Sequence, residues 1–203
     1  MTSQIFKNSM TSQILKMRMT SQILKNSMTS QILKNSLLAI ALSCMAFVNI
    51  QAQESSMQEL MDQSLTKLEQ SKPESYLNCI AELKRIDAMF PDSIQPKYQT
   101  ALQCLVFSVT NPHATQTTQL LAEAEQAIGQ MAKMNHADPS DLNTLYGFLY
   151  MARIVQDPAQ NGQRYYLDVM RHFEKALKLN PNNELARQLQ EKFYEGMKQA
   201  TGE

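Results

Sequence analysis

The residue types that most often carry chemistry are few in this chain and far apart. The three histidines, His113, His136 and His172, do not share a helical turn, and no carboxylate joins one of them at metal-site spacing. The sequence has no glycine-rich phosphate loop, no G-x-S-x-G segment and no cysteine–histidine pair placed for nucleophilic catalysis. Glu123 and Glu125 stand two residues apart on a predicted helix, so their carboxylates should diverge. These patterns predict a protein that is not an enzyme and uses no metal or cofactor.

The most distinctive polar surface is expected between residues 153 and 166. Arginine and aromatic side chains are favoured at protein interfaces. This segment therefore supplies the candidate partner-binding residues, which are Arg153, Asp157, Arg164, Tyr165 and Tyr166. In the alternative, Arg153 and Asp157 pair with each other, since they are four residues apart, and only hold a long loop in place.

Two cysteines, Cys79 and Cys104, lie at nearly equal distances on either side of a predicted turn. In an antiparallel hairpin they would fall at the same level, and a disulfide there would contribute about 2–4 kcal/mol. Packed helix axes lie about 8–10 Å apart, however, whereas a disulfide needs Cα atoms within about 7 Å. A bridge and two buried thiols that act as small hydrophobic side chains are both compatible with the sequence.

Helical periodicity runs through the chain from residue 53 onwards and predicts seven helices. Their approximate ranges are 55–70, 73–90, 93–111, 115–134, 140–155, 164–179 and 183–199. Ser93 and either Asp138 or Ser140 are predicted caps, and QDPAQNGQ at 156–163 is a predicted turn. His172, on the sixth helix, is expected at the surface. Because the connections are short, consecutive helices should pack as antiparallel hairpins.

The first 36 residues are four copies of a nine-residue segment that begins with Met. Nine residues turn a helix by about two and a half turns, so the copies cannot share one apolar face. The apolar run at 37–48 is too short to span a bilayer but has the length of a signal-peptide core, and Lys34 precedes it. We therefore expect 1–27 to be redundant copies of the start region, 28–52 a signal peptide cleaved near Ala52, and 53–203 a single mature domain. A retained membrane anchor is the alternative, and a lipoprotein site at Cys44 lacks the usual Leu, with Ala41 in its place.

Removal of the leader changes the charge of the chain. Residues 53–203 contain 14 basic and 19 acidic residues, a net charge of −5, with no basic block. This balance argues against nucleic acid and anionic lipid surfaces as partners. The region also has no apolar stretch long enough for a membrane span.

The segment FEKALKLNP at 173–181 resembles the second helix and exit of a tetratricopeptide repeat. Phe173 falls at the position that fills the groove between paired helices, Ala176 at the close-approach position, and Pro181 at the helix exit. In YGFLY, Gly147 and Tyr150 fall at the close-contact glycine and the aromatic position of the first helix. Val169 departs from the pattern, because the family has a small residue there.

The stretch MARIVQDPAQNGQRYY, followed by KALKLNPNN, is similar to a group of secreted tetratricopeptide-like proteins of Bacteroidota that has no established activity. The likeness covers about 74–190. It implies an all-α fold, a short α-solenoid of about 6–7 helices in antiparallel hairpins, exported to the cell envelope. The seventh helix has Arg187 and Gln190 where apolar residues are usual, which fits a polar capping helix.

The resemblance also carries expectations about modification and function. Asp92-Ser93-Ile94 matches the short motif at which Bacteroidota O-glycosylate envelope proteins, and a simple helix cap at Ser93 is the alternative. Because such solenoids bind peptide segments in their concave groove, we expect a non-catalytic periplasmic or secreted scaffold whose partner is an envelope protein or peptide segment. A periplasmic accessory protein that binds a small ligand is the second hypothesis.

Overall fold

The computed structural model describes residues 54–69 and 72–201 of the 203-residue chain. The described residues form seven helices and no strand: α1 at 54–66, α2 at Pro73–Met89, α3 at Ile94–Thr110, α4 at Thr117–Met131, α5 at Pro139–Gln156, α6 at Pro158–Leu179 and α7 at Glu184–Thr201. The predicted start-region copies at 1–27 and the predicted signal peptide at 28–52 lie outside the described residues. Among the residues described, no helix combines the length and apolarity needed to cross a membrane.

The helices from α2 to α7 pack in chain order, each against the next. In addition, α3 contacts α5, and α5 contacts α7, so α3, α5 and α7 form one layer. Short connections make the sequential helices antiparallel. The predicted all-α fold of antiparallel hairpins is confirmed. Because the same contacts recur along the chain, the arrangement of the helices is repeat-like.

Two apolar clusters stabilise this arrangement. The larger cluster joins α2 to α7 and includes Leu105, Ile128 and Leu149, all fully buried. The smaller cluster places Met61 of α1 against Leu83 and neighbouring residues of α2. Burial of one such side chain contributes about 1.5–3 kcal/mol.

The predicted turn at 156–163 is wrong, because the chain there is almost entirely helical. Only Asp157 separates α5 from α6. Pro158 occupies the first helical position, where its missing N–H costs nothing. The Asp157 carboxylate accepts a hydrogen bond from the Gln160 backbone N–H at 3.1 Å, and the Asn161 side-chain amide donates to the Arg153 carbonyl at 2.7 Å. Residues 158–163 therefore lengthen α6 by almost two turns.

The two predicted caps differ from each other. The Asp138 carboxylate caps α5 by accepting from the Ser140 N–H at 2.6 Å, as predicted. Ser93 occupies the cap position of α3, but its side chain makes no capping hydrogen bond. The turn is held instead by the buried Lys97, whose Nζ donates to the Asp87 carboxylate at 2.6 Å and to the Pro91 carbonyl at 2.5 Å.

The last helix has one buried face. Ala186, Leu189 and Phe193 are buried, whereas Arg187 and Gln190 lie half-buried at its flank and most of its other residues are exposed. The buried residues recur at spacings of three and four, so one face of α7 packs against the other helices.

Candidate functional site: the α5–α6 hairpin

A glycine of α5 and a buried phenylalanine of α6 lie in close contact. Phe173 is fully buried, and a Cβ at Gly147 would lie 2.7 and 2.8 Å from two carbons of its ring. Ala176, one turn further on, is also fully buried, and its carbonyl accepts from the Ser140 hydroxyl at 2.9 Å. Three of the residues on which the resemblance depends thus lie on one interface.

The exit of α6 follows the sequence pattern as well. The helix ends at Leu179, and Asn180 and Pro181 form the connection to α7. The Pro181 carbonyl accepts a hydrogen bond from the Arg187 guanidinium at 2.7 Å. Pro181 is exposed, so it shapes the backbone between α6 and α7 and does not contribute to the apolar core.

A row of aromatic and arginine side chains covers one side of this hairpin. It comprises Tyr146, Tyr150 and Arg153 of α5 and Arg164, Tyr165 and His172 of α6, and we call it the tyrosine–arginine face. The His172 ring lies between Tyr146 and Tyr150, with centroids 5.4 and 5.5 Å away, and Tyr150 stacks on Tyr165 at 5.3 Å. The predicted aromatic position at Tyr150 is thus the centre of the row.

Both arginines of this face lie over tyrosine rings. The Arg153 guanidinium carbon is 5.5 Å from the Tyr165 ring centre and 5.8 Å from that of Tyr150. Arg164 lies 5.0 Å from the Tyr165 ring centre. Contacts at these distances are cation–π interactions, worth about 0.5–1 kcal/mol at exposed sites. They restrict the rotamers of the two arginine side chains.

The alternative in which Arg153 and Asp157 pair with each other is wrong. Arg153 instead pairs with Glu125 of α4 at 2.6 Å, and Asp157 is occupied as the cap of α6. Glu123 pairs with Lys84 of α2 at 3.0 Å, so the two glutamates do diverge, as predicted. Arg164 differs from Arg153, because it is exposed and forms no salt bridge with any residue that the structure describes.

The expectation that His172 is a surface residue is also wrong. His172 is half-buried, and its Nδ1 lies 3.0 Å from the Asn143 side-chain oxygen. The Asn143 amide nitrogen donates to the Pro139 carbonyl, so its oxygen is the acceptor and His172 Nδ1 carries the proton. Burial, with Arg171 nearby, lowers the pKa of His172, which keeps the ring neutral at pH 7.

The candidate partner-binding residues therefore do not form one site. Arg153, Arg164 and Tyr165 meet on the tyrosine–arginine face, whereas Asp157 lies at the helix junction. Tyr166 lies near α7, with its ring 5.6 Å from that of Phe193. Neighbouring residues on a helix are about 100° apart, which is why Tyr165 and Tyr166 have different surroundings.

An apolar groove lies on the side of the hairpin that faces α7, and the sequence patterns did not predict it. It has a volume of about 520 Å³ and is bordered by the second halves of α3, α5 and α7 and by the start of α6. Its apolar lining comprises Val109, Met151, Ile154, Val155, Phe193 and Met197. The extension of α6 contributes Pro158 and Gly162 to the lining of the groove. Because 156–163 was predicted to be a turn, the sequence patterns did not place these two residues on a helix.

A buried polar network that the sequence patterns also missed joins α5 to α7. The Asn183 side-chain amide donates to Ser140, Asp141 and Thr144 at 2.9, 3.1 and 3.2 Å. Its oxygen accepts from the Ala186 N–H at 3.0 Å and so caps α7. The NPNN segment before α7 was the available signal, since asparagine is among the preferred caps.

The two described cysteines are free thiols in separate clusters. Cys79 belongs to the smaller cluster and accepts a hydrogen bond from the Ser64 hydroxyl at 3.6 Å, whereas Cys104 is fully buried in the larger one. Burial raises the pKa of Cys104 to about 12 and also raises the pKa of Cys79. Of the two arrangements compatible with the sequence, the structure has the buried thiols. The candidate glycosylation residue Ser93 is half-buried in the turn before α3.

His113 and His136 are exposed in the connections before α4 and α5. Within the described ranges 54–69 and 72–201, no three His, Cys, Asp or Glu residues are grouped so that they could hold a metal ion. No family model matches this chain, and comparisons with curated proteins and with solved structures found no match. The geometry of the α5–α6 hairpin is therefore the basis on which a function can be assigned.

Proposed function

We propose that this protein is a non-catalytic tetratricopeptide-like scaffold of the cell envelope that binds another protein through the tyrosine–arginine face. The apolar run and small-residue end of segment 28–52 support export. The repeat-like hairpins and the close contact of Gly147 with Phe173 support the resemblance.

The observation that carries the proposal is the position of Arg164. Its guanidinium lies over Tyr165, is exposed, and has no carboxylate partner among the described residues. Arginine donates two parallel hydrogen bonds to a carboxylate, and a side chain already held by a ring loses less entropy on binding. The matching partner is an exposed segment that presents an Asp or Glu next to an apolar residue.

Affinity capture tests this proposal. The full chain with a C-terminal tag is incubated with envelope extract beside two variants, Arg164→Glu and Arg171→Glu. Arg171 is a matched control, because it is also exposed on α6 but lies outside the tyrosine–arginine face and pairs with Asp168. A protein retained by the wild type and by Arg171→Glu but lost with Arg164→Glu would support the proposal. Equal retention by all three chains would contradict the assigned face.

A second candidate function, binding of a small ligand, is favoured by one observation. The apolar groove of about 520 Å³ falls within the range of about 300–1,000 Å³ that is typical of ligand sites.

A further inference from the structure

The apolar groove combines an apolar lining with a single charge. Lys192 of α7 is the one charged side chain among the described residues that line it. Lys192 is exposed and forms no salt bridge with a described residue. A molecule that fits this pattern has an apolar body and one anionic end.

Two glycines, Gly162 of α6 and Gly196 of α7, also line the groove. A Cβ at either position would meet no described atom within 4 Å. Both lie inside helices, where glycine costs about 0.5–1 kcal/mol relative to alanine. Neither glycine is therefore required by helix packing, and both positions have room for a larger side chain.

Aromatic and branched side chains form the wall of the groove. Phe193 is buried and packs against Tyr166 of α6 at 5.6 Å between ring centroids. Ile154 and Val155 supply branched side chains on the α5 side. β-Branched and ring side chains have few rotamers, so these residues favour a pre-formed groove over one that collapses when empty.

We propose that this groove binds a single alkyl chain that carries an anionic head group, with the chain against the α5 and α7 side chains and the head group at Lys192. The volume suits one narrow chain, whereas an amphipathic partner helix needs anchors over two or more turns. This site is separate from the tyrosine–arginine face and does not depend on the protein-binding function. A free fatty acid and the acyl chain of a membrane lipid share this chemistry.

Calorimetric titration of the full chain with octanoate, decanoate and dodecanoate, each below its micelle concentration, tests the proposal. Each buried methylene should strengthen binding about fourfold until the groove is filled. Dodecyltrimethylammonium, with the same chain and the opposite charge, should bind more weakly than dodecanoate. Absence of dodecanoate binding, or equal affinity for the two amphiphiles, would overturn the proposal.

Three variants locate the binding site. Gly196→Leu and Gly162→Leu should abolish dodecanoate binding by filling the groove. Gly129→Leu is the matched control, because a Cβ there also meets no described atom within 4 Å but the residue lies on α4, away from the groove. Lys192→Gln should weaken dodecanoate binding by up to about fivefold. Dodecanoate affinity that is unchanged in both groove-filling variants would place binding elsewhere and overturn the proposal.

An experiment with vesicles distinguishes a free fatty acid from the acyl chain of a membrane lipid as the ligand. Sedimentation with phosphatidylglycerol vesicles should leave the chain in the supernatant if free fatty acid is the ligand, whereas groove-dependent sedimentation would assign a lipid acyl chain. Sedimentation that persists unchanged in Gly196→Leu would show that the vesicles bind outside the groove and would exclude a membrane-lipid acyl chain as the ligand of the groove. Circular dichroism of each variant checks that the helices are retained.

Discussion

The ring of Phe173 occupies the space that a side chain at position 147 would need. A Cβ on Gly147 would lie 2.7 Å from one ring carbon and 2.8 Å from the next, and Phe173 is fully buried. Since the ring cannot move into solvent, helices α5 and α6 depend on the glycine for their spacing. This spacing in turn sets the positions of Tyr150 and Tyr165, which stack across the same two helices.

The first prediction concerns Gly147→Ala. Alanine favours a helix by about 1 kcal/mol over glycine, but overpacking a buried site typically costs about 1–3 kcal/mol. We expect a net loss of up to about 2 kcal/mol in the free energy of unfolding, measured by urea denaturation. Gly129→Ala is the control and should stabilise the chain by about 0.5–1 kcal/mol, because its new Cβ meets open space. A gain of stability in both variants would show that the close contact is absent.

The second prediction concerns the polar network at the start of α7. Asn183→Ala removes the cap on the Ala186 N–H and the hydrogen bonds to Ser140, Asp141 and Thr144. Loss of a cap together with buried hydrogen bonds should lower the free energy of unfolding by about 1–3 kcal/mol. Amide hydrogen exchange should quicken first in α7. Asn182→Ala is the matched control, since Asn182 is exposed, and an equal loss in both variants would disprove the role of the network.

The third prediction concerns pH. Burial lowers the pKa of His172 below its ordinary value of 6.5, so the unfolded chain binds a proton at a pH where the folded chain does not. The contribution of this group to stability is therefore present above pH 6.5 and is lost as the pH falls from there through the lower folded pKa. The stability difference between wild type and His172→Gln should shift in favour of the variant between pH 7.5 and pH 5. A difference that is constant over this range would contradict the buried position of the ring.

The fourth prediction concerns the cysteines. Because Cys79 and Cys104 lie in separate clusters and burial raises both thiol pKa values, both should react slowly in the folded protein. After unfolding without a reductant, each should take up a thiol label, as peptide mass spectrometry would show. A disulfide-linked peptide containing both residues would refute the free-thiol arrangement.

Most of the fold could be predicted because it depends on local patterns. The helical periodicity, the Asp138 cap and the spacing of Gly147, Phe173 and Ala176 are all readable along the chain. The junction at Asp157 was misassigned because Asp-Pro can break one helix and begin the next. The composition of 156–163 is typical of a turn, but the hydrogen bonds of Asp157 and Asn161 stabilise a helix there.

The candidate site was less predictable, because its contacts join distant parts of the chain. The partner of Arg153 is Glu125, on another helix, and no local spacing indicates it. The burial of His172 likewise depends on how α6 lies on Tyr146 and Tyr150 of α5. The residue types correctly indicated that Arg164 and Tyr165 lie on one surface. They did not indicate that the adjacent Tyr166 lies instead near α7.

A binding titration with the protein recovered by affinity capture tests whether the tyrosine–arginine face binds a partner. Its affinity is measured for the wild-type chain, Arg164→Glu and Arg171→Glu at equal ionic strength. We expect at least about a tenfold loss of affinity for Arg164→Glu, since charge reversal at a carboxylate-binding arginine costs more than about 1.4 kcal/mol. We expect little change for Arg171→Glu. Equal affinity of all three chains would contradict a partner-binding role for the tyrosine–arginine face.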